Sequence, residues 1–438
     1  MNLPVVTERA VQLLRCAAPL LLLLAAGTVR AELPQLDGRV HEGVATCASG
    51  VCHGAATERN STAVLQNEFT TWTRYDAHAR AYAVLLNDDS KRIARNLGLP
   101  NAHEAGICLD CHADNVPTEL RGAEFRIEDG VGCEACHGGA ENWLESHKAD
   151  AATHADNLAN GLHPTEIVEE RAELCLSCHL GTEDKFATHE IMGAGHPRLS
   201  FELSTFEALQ PPHWAYDAEY MERKLEVDDF RTWAGGLLTA ARKNIGLLTG
   251  PLVHGDGLFP EVALFDCHSC HHPMSDIRWA STTATAGLKP GAIRINDANL
   301  VILLPLAEAL DPALHTRMLG QIRALNRSVA GGRDALMAAA TSLDESVNVL
   351  EGLVRRGVDA GARRAILDGL LTRAVRGDYR DYIAAEQAAM AMDLLLISLD
   401  RWEANKPRID AVFDTVQDDE AYRPGRFVAA ADALRKAL

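Results

Sequence analysis

Cys108-Leu109-Asp110-Cys111-His112, Cys133-Glu134-Ala135-Cys136-His137 and Cys175-Leu176-Ser177-Cys178-His179 spell one pattern three times. Cys267-His268-Ser269-Cys270-His271 repeats it downstream, and Cys47-Ala48-Ser49-Gly50-Val51-Cys52-His53 carries it, stretched by two residues, upstream. The chemistry of C-x-x-C-H is covalent haem attachment: two thiols add to the vinyl groups of one porphyrin, and the adjacent histidine turns in to ligate the iron from the proximal side. Paired cysteines also build zinc ribbons and disulfide staples, but neither needs a histidine behind the second thiol. With 18 histidines in 438 residues, finding one there five times by chance is on the order of 10⁻⁷, so the haem reading stands. Five c-type haems are expected, attached at Cys47, Cys52, Cys108, Cys111, Cys133, Cys136, Cys175, Cys178, Cys267 and Cys270. Their proximal iron ligands are His53, His112, His137, His179 and His271.

The cysteines close without remainder. Of eleven, ten lie in the motifs and Cys16 lies in an N-terminal apolar run, so neither a disulfide nor a free thiol is expected. Arg9 and Arg15 flank that run, which extends from Cys16 to Gly27, and Val29-Arg30-Ala31 places small residues at both recognition positions. Residues 1–31 therefore read as a secretory signal cleaved after Ala31. The run is too short to span a bilayer, and Cys16 follows no lipoprotein cleavage site. A periplasmic or secreted protein without a transmembrane anchor is expected, in the compartment where haem thioethers form. The formal charge of −19 becomes −21 without residues 1–31. Such acidity disfavours nucleic acid and anionic lipid and favours redox partner proteins with a basic docking surface.

The fold class expected is mainly α: a multihaem cytochrome c domain with few strands, plus a C-terminal α-helical bundle. Residues 32–280 form the pentahaem domain, broken by glycines, prolines and polar clusters. Its most helix-like piece is 62–98, which carries Trp72, Tyr75, His78 and Tyr82 and stops at Gly98-Leu99-Pro100. A helical excursion at about 217–250 reads as one helix over 217–248, capped by Asp217, with Leu237, Leu238, Ala241, Ile245 and Leu248 on its apolar side and Gly250-Pro251 as its end. Residues 281–438 contain no cysteine and shift to Ala, Leu, Arg and Asp with helical periodicity. Asp311-Pro312 starts a helix with the stripe Leu314, Met318, Ile322 and Leu325, and Gly331-Gly332 breaks it. The next stripe runs through Leu336, Met337, Ala340, Leu343, Val347, Leu350 and Val354 to Gly357, and further helices cover 360–376, 379–403 and 424–437. Met318, Met337, Met390 and Met392 sit on apolar faces and read as core. Lacking cysteine, the bundle is expected to fold without haem and to offer a docking or homo-oligomer surface.

Each iron needs a sixth ligand or an open position. Outside the proximal set stand His41, His78, His103, His147, His154, His163, His189, His196, His213, His254, His268, His272 and His315, and all but His315 lie in the haem-bearing part. For any one of them a solvated or hydrogen-bonded role is the plain alternative to ligation.

The phrase Gly130-Val131-Gly132-Cys133-Glu134-Ala135-Cys136-His137-Gly138-Gly139, preceded by Cys108 to Ala113 and by Trp72 to His78, resembles the cytochrome c-554 type of multihaem cytochrome. The resemblance covers roughly residues 41–200. It implies electron carriage, in nitrifying bacteria from hydroxylamine oxidation, and haems stacked in closely spaced pairs. It also implies distal ligation by His78 and by His147, ten residues after His137, and the stretch His189 to Pro197 resembles segments that supply distal histidines. The distal candidates are thus His78, His103, His147, His189 and His196, with His213 and His163 behind them. His103 lies only five residues before its neighbouring motif, so it would serve another haem. The chain departs from the family in its fifth motif, its stretched motif and its helical domain.

The function expected is electron transfer between redox partners. An oxidoreductase acting on a small nitrogen or sulfur compound at one open haem is the alternative, and a structural role with haems running between subunits is a third reading. The family has a haem without a strong distal ligand, which makes the second motif's haem, on His112, the first suspect for an open site. No side chain is assigned a catalytic role.

Overall fold

Short helical pieces joined by irregular chain make up the N-terminal part of the computed structural model, which describes residues 31–59, 64–149, 151–215, 228–254, 260–272 and 280–438. The apolar leader and Asp217 lie outside the described residues. Among those described there is no strand, only isolated bridges at His41 with Arg121 and Phe265 with Ile295. Among the described residues thirteen helices have seven or more residues. They are labelled here α1 (Glu68–Tyr75), α2 (Asp88–Asn96), α3 (Gly106–His112), α4 (Val168–His179), α5 (Leu203–Leu209), α6 (Asp229–Thr249), α7 (Ala298–Leu310), α8 (Pro312–Ser328), α9 (Arg333–Arg355), α10 (Ala360–Arg376), α11 (Tyr382–Ser398), α12 (Trp402–Phe413) and α13 (Pro424–Arg435).

Helical winding of the motifs follows from their chemistry. A helix turn places residues i and i+3 on one face, so both thiols of a C-x-x-C unit reach the same edge of a porphyrin. Accordingly α3 ends on His112, a short helix ends on His137 and α4 ends on His179. After His137 the chain reverses at Gly138, whose φ of 85° is left-handed. A Cβ there would stand 2.7 Å from Gly161 O, so only glycine fits the turn.

The helix-like stretch 62–98 is not one helix. It is α1, a 3₁₀ turn at His78–Arg80, a short helix at Ala81–Val84 and α2. Two side chains interrupt it: Asp76 Oδ1 accepts the His78 backbone N–H at 2.9 Å, and Asn87 Oδ1 accepts that of Ser90 at 2.7 Å. Such local bonds offer the backbone an alternative to continuing a helix. The pieces enclose a small core of Tyr82, Leu85, Ala94, Ala102, Leu109 and Ala113.

The large core lies elsewhere. Helix α6 is capped by Asp228, whose side chain accepts from the Arg231 N–H. Its Phe230, Trp233, Leu237, Leu238, Ile245 and Leu248 join one cluster with buried side chains of α7 to α13. On another side α6 carries Gly235 and Gly236, where a Cβ would stand 2.6 Å from Val168 Cγ1 and 2.6 Å from Leu203 Cβ. Missing side chains at these two positions let α4 and α5 of the haem-bearing part lie directly on α6. The helix read from sequence as an excursion of the haem domain is thus the central element of the bundle, sandwiched between it and a haem motif helix.

In the bundle, α8 starts at Asp311-Pro312 and α9 follows Gly332. The region 379–403 resolves into α11 and the start of a separate helix, α12. Helices α7 and α12 were not anticipated, and each contains a proline, Pro305 and Pro407. Proline removes one helical hydrogen bond, but the wholly buried run Leu300 to Leu304 and Leu306 holds α7 together around Pro305. Met318, Met390 and Met392 are core residues, whereas Met337 is 38% exposed. Its neighbour Leu336 is 5% exposed, so the buried face of α9 turns away from position 337 and the reading of Met337 as core is corrected.

Candidate functional site

The motif histidines do not stand alone. The ring of His53 faces that of His147 at 6.3 Å between centroids, His112 faces His196 at 6.3 Å, and His137 faces His213 at 6.3 Å. His179 faces His78 at 6.2 Å and His271 faces His189 at 6.0 Å. Two imidazoles bound through nitrogen to opposite sides of one metal, each at about 2.0–2.1 Å and with about 1.1 Å from nitrogen to ring centre, stand about 6.3 Å apart. The five spacings fit a six-coordinate haem iron between each pair.

The remaining ring nitrogens tell the same story. A ligand histidine generally donates its other N–H to a carboxylate or carbonyl, which fixes the ring. His53 Nδ1 meets Glu68 Oε2 at 3.0 Å and His78 Nδ1 meets Asp76 Oδ1 at 2.9 Å. The Nδ1 atoms of His112, His147 and His196 meet the carbonyl oxygens of Ala81, Trp143 and Pro197 at 3.1, 3.1 and 2.7 Å. In each of these five it is Nδ1 that is engaged, so Nε2 is the atom available to a metal.

Other histidines are engaged differently. Fully buried His41 uses both nitrogens, on Asp114 Oδ2 at 2.7 Å and Pro34 O at 3.3 Å. Burial, the largest single influence, would lower its pKa, but the bond to Asp114 and the charges of Asp114, Glu134 and Asp37 together make the net shift upward. His154 meets Glu166 at 2.5 Å, His315 meets Arg373 at 2.9 Å, and His268 stacks on Tyr422. His103 stands edge-on to Tyr82 and 3.8 Å from a Glu104 oxygen. His163 is buried, with its backbone N–H on His137 O and its Nε2 without a hydrogen-bond partner. Of the five distal candidates, then, His78, His147, His189 and His196 stand opposite motif histidines. His103 does not, and His213 occupies the fifth place. The side chain of His254 lies outside the described residues.

The motifs are also ordered among themselves. The thiol of Cys47 lies beside that of Cys133, and the thiol of Cys111 beside that of Cys178, so the first motif adjoins the third and the second adjoins the fourth. The fourth also neighbours the third, through Cys136 with Cys175 and Cys178. Residues 189–196 supply partner rings for both His271 and His112, which ties the fifth motif to the second. Cys267 has Arg198 and Asp381 as its charged neighbours.

Three carboxylates support this arrangement and escaped sequence reasoning. Glu134, inside the third motif, is 2% exposed and accepts from the backbone N–H groups of Glu42, Gly43 and Ala140 at 2.7–2.8 Å. Burial raises its pKa, and those three bonds oppose the rise. Glu68 and Asp76 orient His53 and His78. The only signal for Asp76 was its place two residues before a candidate histidine.

A zinc ribbon needs four converging ligands, and among the described residues no three His, Cys, Asp or Glu side chains converge to hold a metal ion. No described helix is long and apolar enough to cross a membrane. A family model described as cytochrome c554 and c-prime matches residues 46–138, which span the first three motifs. No curated protein and no solved structure matches the chain. The chain thus carries a c-type cytochrome segment resembling that family, with covalently bound haem and a part in electron transfer.

Proposed function

We propose that this protein is a pentahaem c-type cytochrome of the periplasm or extracellular space that passes electrons between redox partners. Each motif would hold one haem through its two thiols, and the imidazole pairs His53 and His147, His112 and His196, His137 and His213, His179 and His78, and His271 and His189 would hold the irons. One observation carries the choice between carrier and enzyme: all five motif histidines, His112 included, face a second imidazole at 6.0–6.3 Å. When bound, haem iron supplies a reversible one-electron change, and two strong axial ligands suit it to electron transfer instead of substrate binding. The chain's own part is to attach, orient and space these groups.

Residues 32–438 should therefore have the mass of the polypeptide plus five haems and no alkylatable thiol. The oxidised protein should show only low-spin signals in electron paramagnetic resonance, and the reduced protein should not bind carbon monoxide. A high-spin signal with carbon monoxide bound at one haem would instead favour the oxidoreductase, and a mass with four haems would remove the stretched motif.

Charge indicates where a partner docks. Residues 32–280 contain 19 Lys and Arg against 39 Asp and Glu, whereas residues 281–438 contain 20 against 21. The acidic field thus belongs to the haem-bearing part, where it steers a basic redox protein into a weak, salt-screened encounter. The association rate with such a partner should fall at least tenfold from low to high ionic strength. A rate indifferent to salt would count against this docking mode.

A further inference from the structure

Among the paired imidazoles, His53 and His78 are anchored on carboxylates, whereas His112, His147, His196 and His213 are anchored on backbone carbonyls. We propose that Glu68 and Asp76 are positioning residues that lower the reduction potentials at the first and fourth motifs, setting these two sites apart from the second. The proposal rests on the axial pairs described above.

Both carboxylates are fixed in place. Glu68, the first residue of α1, spends Oε1 on the Gln66 N–H at 3.0 Å and Oε2 on His53 Nδ1 at 3.0 Å. Gln66 is held at a φ of 61°, an uncommon conformation for a residue other than glycine, so this bond closes a defined turn. Asp76 is 4% exposed. Its Oδ1 accepts from both the backbone N–H and Nδ1 of His78 at 2.9 Å, and its Oδ2 accepts from Gln210 Nε2 at 3.1 Å. Gln210 begins the Gln-Pro-Pro segment that ends in His213, so the same carboxylate also braces the strand of chain carrying the ring opposite His137.

The direction of the effect follows from charge. A carboxylate accepting the Nδ1 proton gives the imidazole imidazolate character, makes Nε2 a stronger donor and favours the oxidised iron. The fixed negative charge adds to this, because adding an electron nearby costs more in a partly buried site. At the second motif both imidazoles, His112 and His196, donate to carbonyls, which supply neither the charge nor the basicity.

Ring planes give the sites different spectra. The angle between axial imidazole planes sets how the iron d orbitals split. The His53 and His147 planes are 13° apart, whereas the His78 and His179 pair stands at 87°, His112 and His196 at 83°, and His137 and His213 at 89°. The His271 and His189 planes are 33° apart, so the first and fifth sites should give rhombic low-spin signals and the other three strongly anisotropic ones.

The test is a potentiometric titration of the full haem-loaded protein, followed by electron paramagnetic resonance. Glu68→Gln should raise the midpoint of one of the two rhombic signals, and Asp76→Asn that of one strongly anisotropic signal. Each shift should correspond to at least a tenfold change in that site's reduction equilibrium, about 59 mV for one electron. Glu68→Asp, which keeps the charge, should restore most of the shift. Unchanged midpoints in both variants, with five haems by mass and low-spin signals intact, would overturn the proposal. Loss of haem or of low-spin signals in the unmutated protein would instead overturn the axial assignment.

Discussion

Replacing His213 by alanine is expected to turn one of the five haems from low-spin to high-spin and let it bind carbon monoxide once reduced, while His103→Ala leaves all five low-spin. The reason is geometric. His213 faces His137 at 6.3 Å, while His103 meets the edge of Tyr82. His213 is held by Pro211 and Pro212, whose fixed φ limits the chain's freedom, and by Trp214, whose ring lies 5.0 Å away edge-on. Among the described residues no other imidazole faces His137. His163 lies near His137 through its backbone, but its ring faces no motif histidine. Absorption and paramagnetic resonance spectra of the two variants, with and without carbon monoxide, distinguish the roles. High-spin character in His103→Ala and none in His213→Ala would reverse the assignment.

The second large effect concerns the bundle. Expressed alone, residues 285–438 should be aggregated or molten, despite containing no haem motif, because they lack α6. Phe230, Trp233, Leu237, Leu238, Ile245 and Leu248 are all at most 4% exposed. Burying a large apolar side chain is worth about 1.5–3 kcal/mol, so omitting six removes about 10 kcal/mol even after allowance for a compact unfolded state. That is the size of a whole domain's stability, about 5–15 kcal/mol. Residues 228–438, with Cys267 and Cys270 replaced by alanine, should be soluble and unfold cooperatively by circular dichroism. A cooperative unfolding transition for residues 285–438 would show that α6 is an accessory to the bundle.

Much of α8 to α10 and α13 was legible because their apolar residues recur every three or four positions and their ends carry Asp311-Pro312, Gly332 and Gly357. Helix α7 is apolar on every side, so it has no periodicity to read, and Pro305 argues locally against it. The helix read from Asp217 begins instead at Asp229, where the Asp228 side chain accepts the Arg231 N–H, and a cap of this kind is fixed by which carboxylate the fold brings to the first turn.

Covalent haem attachment could be read from the sequence because it is local: both thiols and one imidazole must lie within a few residues of one another, and the spacing of the motif cysteines records it. Distal partners obey no such constraint. His147 lies 94 residues from His53 and His196 lies 84 from His112, so which imidazole meets which depends on how loops fold back through space. The same holds for α6, whose stripe announces a helix but not what it packs against. Gly235 and Gly236 leave the room that places it between bundle and haem motifs, and only the tertiary packing decides which neighbours fill it.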